Sequence, residues 1–259
     1  MSELTTAVLA GDLGAQDIAR QQGVVAVPEL QQLLGNEDSW VRIVAVRSLG
    51  EIAQGPAIQA LLAATLDEDG MVAGEAIEQL EEHPDQVSVK QLLAALERAR
   101  NANARNLLSL FIGRQPILDE DLVKLAGLCQ SERAEEAKVG CLAALARTGN
   151  PDAAAAFKRR VERSSGRERV DIIELLEYIA QRWVIDALSG MLDDRDEAIF
   201  RNMDSLPEQP QFLRVCDLAA SAILRLTRTE DRVSFAADPP INHSTAQLDE
   251  VRRIARTVP

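Results

Sequence analysis

Eight carboxylates, Asp67, Glu68, Asp69, Glu75, Glu78, Glu81, Glu82 and Asp85, fall in one stretch of the chain that contains no Lys or Arg. Like charges three or four residues apart on a helix repel, as Glu75, Glu78 and Glu82 would, so the cluster is mildly destabilising unless something answers it. A basic partner steered by the local field is one answer; a solvated outer face is the ordinary alternative. Asp67 to Gly70 superficially suggests a calcium loop, but the alternating ligand series and terminal Glu of such a loop are missing. The opposite sign gathers in Lys158, Arg159, Arg160, Arg163, Arg167 and Arg169, against only Glu162 and Glu168. These side chains suit an anionic surface or a phosphate, although Arg159, Arg160 and Arg163 are also placed to answer the dipole of a helix ending there. Arg182, Trp183 and Asp186 follow, and then a second acidic run, Asp193, Asp194, Asp196 and Glu197.

No other chemistry is positioned. The cysteines, Cys129, Cys141 and Cys216, are odd in number and lack a paired CxxC spacing, which argues against a disulfide framework or a zinc site and for small core residues. The two histidines, His83 and His243, stand beside turn-forming residues and are expected at the surface. The sequence therefore names no catalytic residue, no cofactor and no metal ligand. Its net charge of −13 makes a general nucleic-acid binder a poor reading, because such affinity comes mainly from Lys and Arg neutralising phosphates.

The elements that carry these residues are written in a period. Leu30, Leu62, Leu93, Leu125, Phe157 and Leu188 recur at intervals of 32, 31, 32, 32 and 31. A second register, Ala45, Ala76, Leu108, Cys141 and Ile172 or Ile173, runs beside it. A unit that cannot bury its own apolar face stacks on a copy of itself, so the period predicts a solenoid with two helices per repeat. Asp38 or Ser39 caps the clearest copy, Val41, Val44, Ala45, Leu49 and Ile52 share one face, and Pro56 restarts the chain as a second helix. Pro28, Pro84, Pro116 and Pro151 repeat that punctuation. Helix pairs are thus placed at 39–66, 71–98, 103–129, 134–163 and 167–192. Aromatics make up only 3% of the chain, and Ala and Leu dominate, so the expected class is all-α.

A single domain over 1–259 is expected: a capping unit at 1–38, regular repeats at 39–192, an insertion at 193–211, and a C-terminal repeat and tail at 212–259. Within the last of these a helix is read from Phe212 to Leu226, a turn at Asp238-Pro239-Pro240-Ile241-Asn242, and a final helix near 245–256. No apolar run approaches a membrane span and the N-terminus lacks a leader pattern, so a cytoplasmic protein is expected.

The segment Ser39-Trp40-Val41-Arg42-Ile43-Val44-Ala45-Val46-Arg47-Ser48-Leu49-Gly50, then Ala57-Ile58-Gln59-Ala60-Leu61-Leu62 and Asp67-Glu68-Asp69, resembles the short HEAT-like repeat, most closely the variety named after phycobilisome lyases. Gly149-Asn150-Pro151-Asp152-Ala153 is similar to that family's turn between helices. The resemblance implies a right-handed α-α superhelix of about six helix pairs, with first helices outside and second helices lining a concave groove. It implies no single activity, since members include lyase subunits, scaffolds and toxin inhibitors.

On this reading the chain is expected to be a non-enzymatic protein-binding module, an inhibitor or immunity-type protein that meets a basic protein partner through acidic surface. The candidate contact residues are Glu75, Glu78 and Glu82, Arg159, Arg160 and Arg163, and Asp193, Asp194 and Asp196. A bilin lyase or lyase-like subunit is the alternative that the repeat variety implies. A HEAT-like DNA glycosylase, for which Arg182, Trp183 and Asp186 stand as the aromatic, acidic and basic set, ranks third because such enzymes need a basic concave face.

Overall fold

Short polar residues start the helices of this chain, and small or left-handed residues stop them. Asp38 accepts a hydrogen bond from the Trp40 amide (2.9 Å) at the head of one helix, Asp69 accepts from Met71 (2.8 Å) at the next first helix, and Asn101 accepts from Asn103 (2.9 Å) at the one after. Ser88 and Gln91 form a reciprocal capping box. Pro28, Pro56 and Pro151 sit in first turns, where a missing N–H costs nothing. Pro84 instead opens a short 3-10 turn ahead of its helix.

The computed structural model describes residues 1–200, 212–230, 233 and 242–257. It falls into two units, Met1–Leu145 and Ala146–Pro259. The first contains α1 (Glu3–Leu9), α2 (Gly14–Gln22), α3 (Val27–Leu33), α4 (Ser39–Ile52), α5 (Gly55–Ala64), α6 (Gly70–Glu81), α7 (Val89–Arg98), α8 (Ala102–Arg114) and α9 (Asp119–Ser131). Helix α10 (Glu135–Arg147) carries the division in its last turn. The second unit contains α11 (Pro151–Arg163), α12 (Glu168–Ile179), α13 (Arg182–Ser189), strands β1 (Glu197–Phe200) and β2 (Phe212–Arg214), α14 (Val215–Thr227) and α15 (Thr245–Thr257).

In the first unit, α2, α4, α6 and α8 pack in succession as one layer, and α3, α5, α7 and α9 as the other. This is an all-α solenoid of helix pairs. The apolar period fills its core: Leu30, Leu93, Leu125, Phe157 and Leu188 are fully or almost fully buried. Leu62 is only half-buried, and its neighbour Leu61 takes the core place. With Leu61 the intervals become 31, 32, 32, 32 and 31, as regular as with Leu62, so packing rather than period distinguishes the two. The second register, Ala45, Ala76, Leu108, Cys141, Ile172 and Ile173, is buried throughout.

Small residues set how closely first helices approach. A Cβ on Gly140 of α10 would lie 2.1 Å from Asn106 Oδ1 and 2.8 Å from the Asn106 carbonyl oxygen of α8. The side chain can turn away, but the backbone oxygen can retreat only if the helices separate. Gly140→Ala is therefore expected to cost about 1–3 kcal/mol, read as a lower urea midpoint with an unchanged slope.

In the second unit, α14 packs on α12 and α13, and α15 on α13 and α14, so the last two helices repeat the first-helix and second-helix places. The helix expected from Phe212 begins three residues later. Phe212–Arg214 pairs antiparallel with Glu197–Phe200, in the register Glu197 with Arg214, Ile199 with Leu213 and Phe200 with Phe212, and the ladder slips between Glu197 and Ile199. Backbone pairing across the two ends of the expected insertion displaces the first helical turn. The centre of that insertion, including Pro207 and Pro210, lies outside the described residues, as does the turn expected at 238–241. No helix among the described residues is long and apolar enough to cross a membrane.

Candidate functional site

The acidic cluster is partly answered from within the first unit. Asp67 makes a two-pronged ion pair with Arg42 (2.9 and 3.0 Å), Glu75 pairs with Arg47 (2.8 Å), and Glu81 with Arg114 (2.6 Å). Burial pushes the Glu81 carboxyl above its ordinary range against the pull of Arg114. Glu75 also accepts from Gln79 (3.2 Å) and is largely covered. Its charge is therefore spent on holding α6 to α4 rather than offered to a partner. Glu78, Glu82 and Asp85 are exposed, and among the described residues no ion pair reaches them; Glu68 has a distant, exposed partner in Arg100 (3.9 Å).

Three arginines hold the inter-repeat loops. Arg42 donates to the carbonyls of Asn36 (2.8 Å) and Glu37 (3.2 Å) in the loop before its helix while it grips Asp67 in the loop that follows the repeat. Arg105 does the same with the carbonyls of Ala99 (3.1 Å) and Arg100 (2.7 Å) and with Glu132 (2.6 and 3.2 Å). Arg169 joins the Ser164 carbonyl (3.1 Å) to Asp194 in the second unit. The intervals from Arg42 to Arg105 to Arg169 are 63 and 64 residues, two repeats each. That doubled period is visible in the sequence but is masked by the single-repeat apolar pattern.

The remaining candidate residues divide between structural and open roles. Asp194 is held by Arg169 and Asp193 by Arg252. Asp196 is exposed. Arg160 pairs with Glu168 (3.5 Å), while Arg159 and Arg163 are exposed at the end of α11. Beside them lies a cleft of about 410 Å3 between α11 and α13, lined by Lys158, Glu162, Arg169, Trp183, Asp186 and Met191 among others. The Trp183 ring rests against Phe157 at 6.5 Å between centroids, and Lys158 Nζ lies 5.1 Å from its centre. This cleft joins residues of the basic island to Trp183 and Asp186. It holds two cations and two carboxylates around an aromatic ring, a composition suited to receiving a charged segment rather than to one sign of ligand.

One group expected at the surface is in the core. His243 is buried, and its amide donates to Asp217 Oδ1 (2.7 Å) while ring Nδ1 lies 3.3 Å from the same oxygen. Arg214 grips the Asp217 carboxylate from the other side at 2.8 Å with both Nε and an Nη, and it also donates to the His243 carbonyl (2.8 Å). Turn residues around His243 pointed to solvent; the carboxylate of α14 draws it inward instead. Among the described residues no group of three or more His, Cys, Asp or Glu converges as a metal site.

Charge is divided unequally. The first unit carries 11 Lys and Arg against 22 Asp and Glu, the second 17 against 19, so eleven of the thirteen net negative charges belong to residues 1–145.

The family described as HEAT repeats matches residues 9–81 and 27–110. The paired helices of the matched residues coincide with α2 to α8. No curated protein matches the sequence. A solved structure described as the crystal structure of an engineered protein is 20% identical, covers 94% of this chain and 70% of its own, and superposes with a TM-score of 0.42.

Proposed function

We propose that this HEAT-like repeat protein is a non-enzymatic binding module whose first unit holds a basic protein partner against the carboxylates left over from its own arginine pairs. The charge division carries this reading: Asp67, Glu75 and Glu81 are consumed internally, yet residues 1–145 retain a net charge of −11. Exposed carboxylates of one sign raise the encounter rate of an oppositely charged surface and lose that effect in salt. Glu68, Glu78, Glu82 and Asp85 are the contact residues of choice, and an inhibitor of immunity type would act by covering the partner's basic face.

The test compares capture from source lysate by the wild-type chain and by Glu78→Lys/Glu82→Lys at low and high ionic strength, with the retained proteins identified by mass. A basic protein, held at least about tenfold more weakly by the variant and released by salt, is the expected result. A partner retained equally by both chains at both ionic strengths would remove the electrostatic mechanism.

A further inference from the structure

Trp40 and Met71 are large apolar side chains left in water, 46% and 71% exposed. Each is the second residue of its helix, α4 or α6, and these two helices pack against each other, so the pair stands on adjacent rungs of the first-helix layer. The Trp40 ring is nevertheless held in place. Arg47 sits over it, 5.8 Å from its centre, and is itself tied to Glu75. A Cβ on Gly11 would lie 2.6 Å from the indole Nε1, so only a glycine admits the ring there. Leu9 and Leu13, two residues to either side of Gly11, are exposed as well. The next rung, Asn103 of α8, is polar and ends the strip. Single exposed apolar side chains are ordinary, whereas neighbouring ones on a fixed surface mark a place where something else binds.

The charges around this strip are of one sign and are held rigidly. The loops that lead into α4 and α6 present Glu37, Asp38 and Glu68 to solvent. Arg42 clamps both loops, through the carbonyls of Asn36 and Glu37 on one and the carboxylate of Asp67 on the other. Asp67 in turn accepts from the Asp69 amide (2.8 Å), and Asn36 Oδ1 from the Asp38 amide (2.9 Å). The carboxylates thus form a fixed rim, which lowers the ordering cost of binding. Glu78 and Glu82, seven and eleven residues after Met71, continue the outer side of α6. From Met71 to Glu82 that line runs roughly 16 Å, about three turns, the reach of one face of a short helix.

We propose that the basic partner of the preceding reading, on which this rests, docks an amphipathic helix on this face. Its apolar side chains cover Trp40 and Met71, and its Lys and Arg side chains meet Glu37, Asp38, Glu68 and Glu78. The two kinds of contact do different work. Charge speeds the encounter and is screened by salt, whereas a tryptophan desolvated at the centre of a contact supplies affinity that salt does not remove. A second copy of this chain is a poor occupant, because it would bring a unit of net charge −11 onto a face of the same sign.

The test titrates the full chain with two synthetic helical peptides of equal length and charge, one with Lys and Leu on its binding face and one with Gln in place of each Leu. The Leu peptide is expected to bind at least about tenfold more tightly and to keep that excess at high ionic strength. It is also expected to shift the emission of Trp40 to the blue, read in Trp183→Phe, where Trp40 is the one tryptophan left. Met71→Ser, a change at an exposed site, is expected to bring the Leu peptide down to the affinity of the Gln peptide. Equal binding of the two peptides to the wild-type chain, or a Leu excess that survives Met71→Ser, overturns the apolar anchor and leaves the charge reading standing. Binding of neither peptide removes both. A dimer of the free chain that Met71→Ser disperses would assign the face to a second copy and overturn the proposal.

Discussion

Alanine in place of Asp217 is expected to lower the stability of the second unit by about 3–5 kcal/mol, the cost of breaking a buried ion pair by removing one partner. The carboxylate is inaccessible to solvent, and the donors to it include the amides of Arg214 and His243 and both arms of the Arg214 guanidinium, with the His243 ring Nδ1 at 3.3 Å. Its removal leaves the half-buried guanidinium of Arg214 without its anion and the His243 amide without its acceptor. Because His243 leads directly into α15, the C-terminal helix should be the first element released. Amide hydrogen exchange would detect this as loss of protection in α15 ahead of α12; equal loss in both helices would argue against a local latch.

The same group makes acid stability predictable in sign. Burial works to raise the Asp217 pKa, but hydrogen bonds from His243 and Arg214 overcome it and hold the carboxyl well below the ordinary range. A depressed folded-state pKa contributes stability that is fully present above the unfolded value of about 3.9 and is lost as pH falls through the folded value. The stability gap between the wild-type chain and Asp217→Asn should therefore be constant above about pH 5 and narrow below about pH 4. A gap that widens in acid would show that this carboxylate is not the anion that the network holds.

Arg42→Ala is the second large effect, expected at about 2–4 kcal/mol. Both partners of the Arg42–Asp67 pair retain only 15% of their side-chain exposure. The loss therefore falls on a covered carboxylate as well as on the carbonyls of Asn36 and Glu37. A double-mutant cycle with Asp67→Ala should return a coupling of about 1–3 kcal/mol. Arg98→Ala, an exposed arginine in the same unit, should change stability by less than about 0.5 kcal/mol. A coupling near zero would mean that the loop carbonyls, rather than Asp67, are what Arg42 serves.

The regular apolar places were legible because burial selects residue type directly. A position facing the next repeat must be apolar in every copy, so Leu30, Leu93, Leu125, Phe157 and Leu188 announce themselves. The error at Leu62 arose where two adjacent leucines satisfy the same count and only packing distinguishes them. Helix starts were legible for a similar reason, since Asp38 and Pro56 act within one turn of their own backbone.

Charge was read as composition and turned out to be arrangement. Glu75 and Glu78 are three residues apart on α6 and look equivalent in the chain, yet Glu75 meets Arg47 of the preceding first helix and Glu78 faces water. His243 looked like a turn residue because its sequence neighbours are; its environment is set by Asp217, 26 residues earlier.

The sequence by itself determined the repeat, its two-helix unit and the apolar core, because hydrophobic burial and capping depend on residue type at short, regular separations. Only the tertiary structure decided which charges are spent and which histidine is buried. Those outcomes depend on whether a single partner, 25 to 33 residues away, comes within a few ångströms, and a periodic pattern carries no record of that distance.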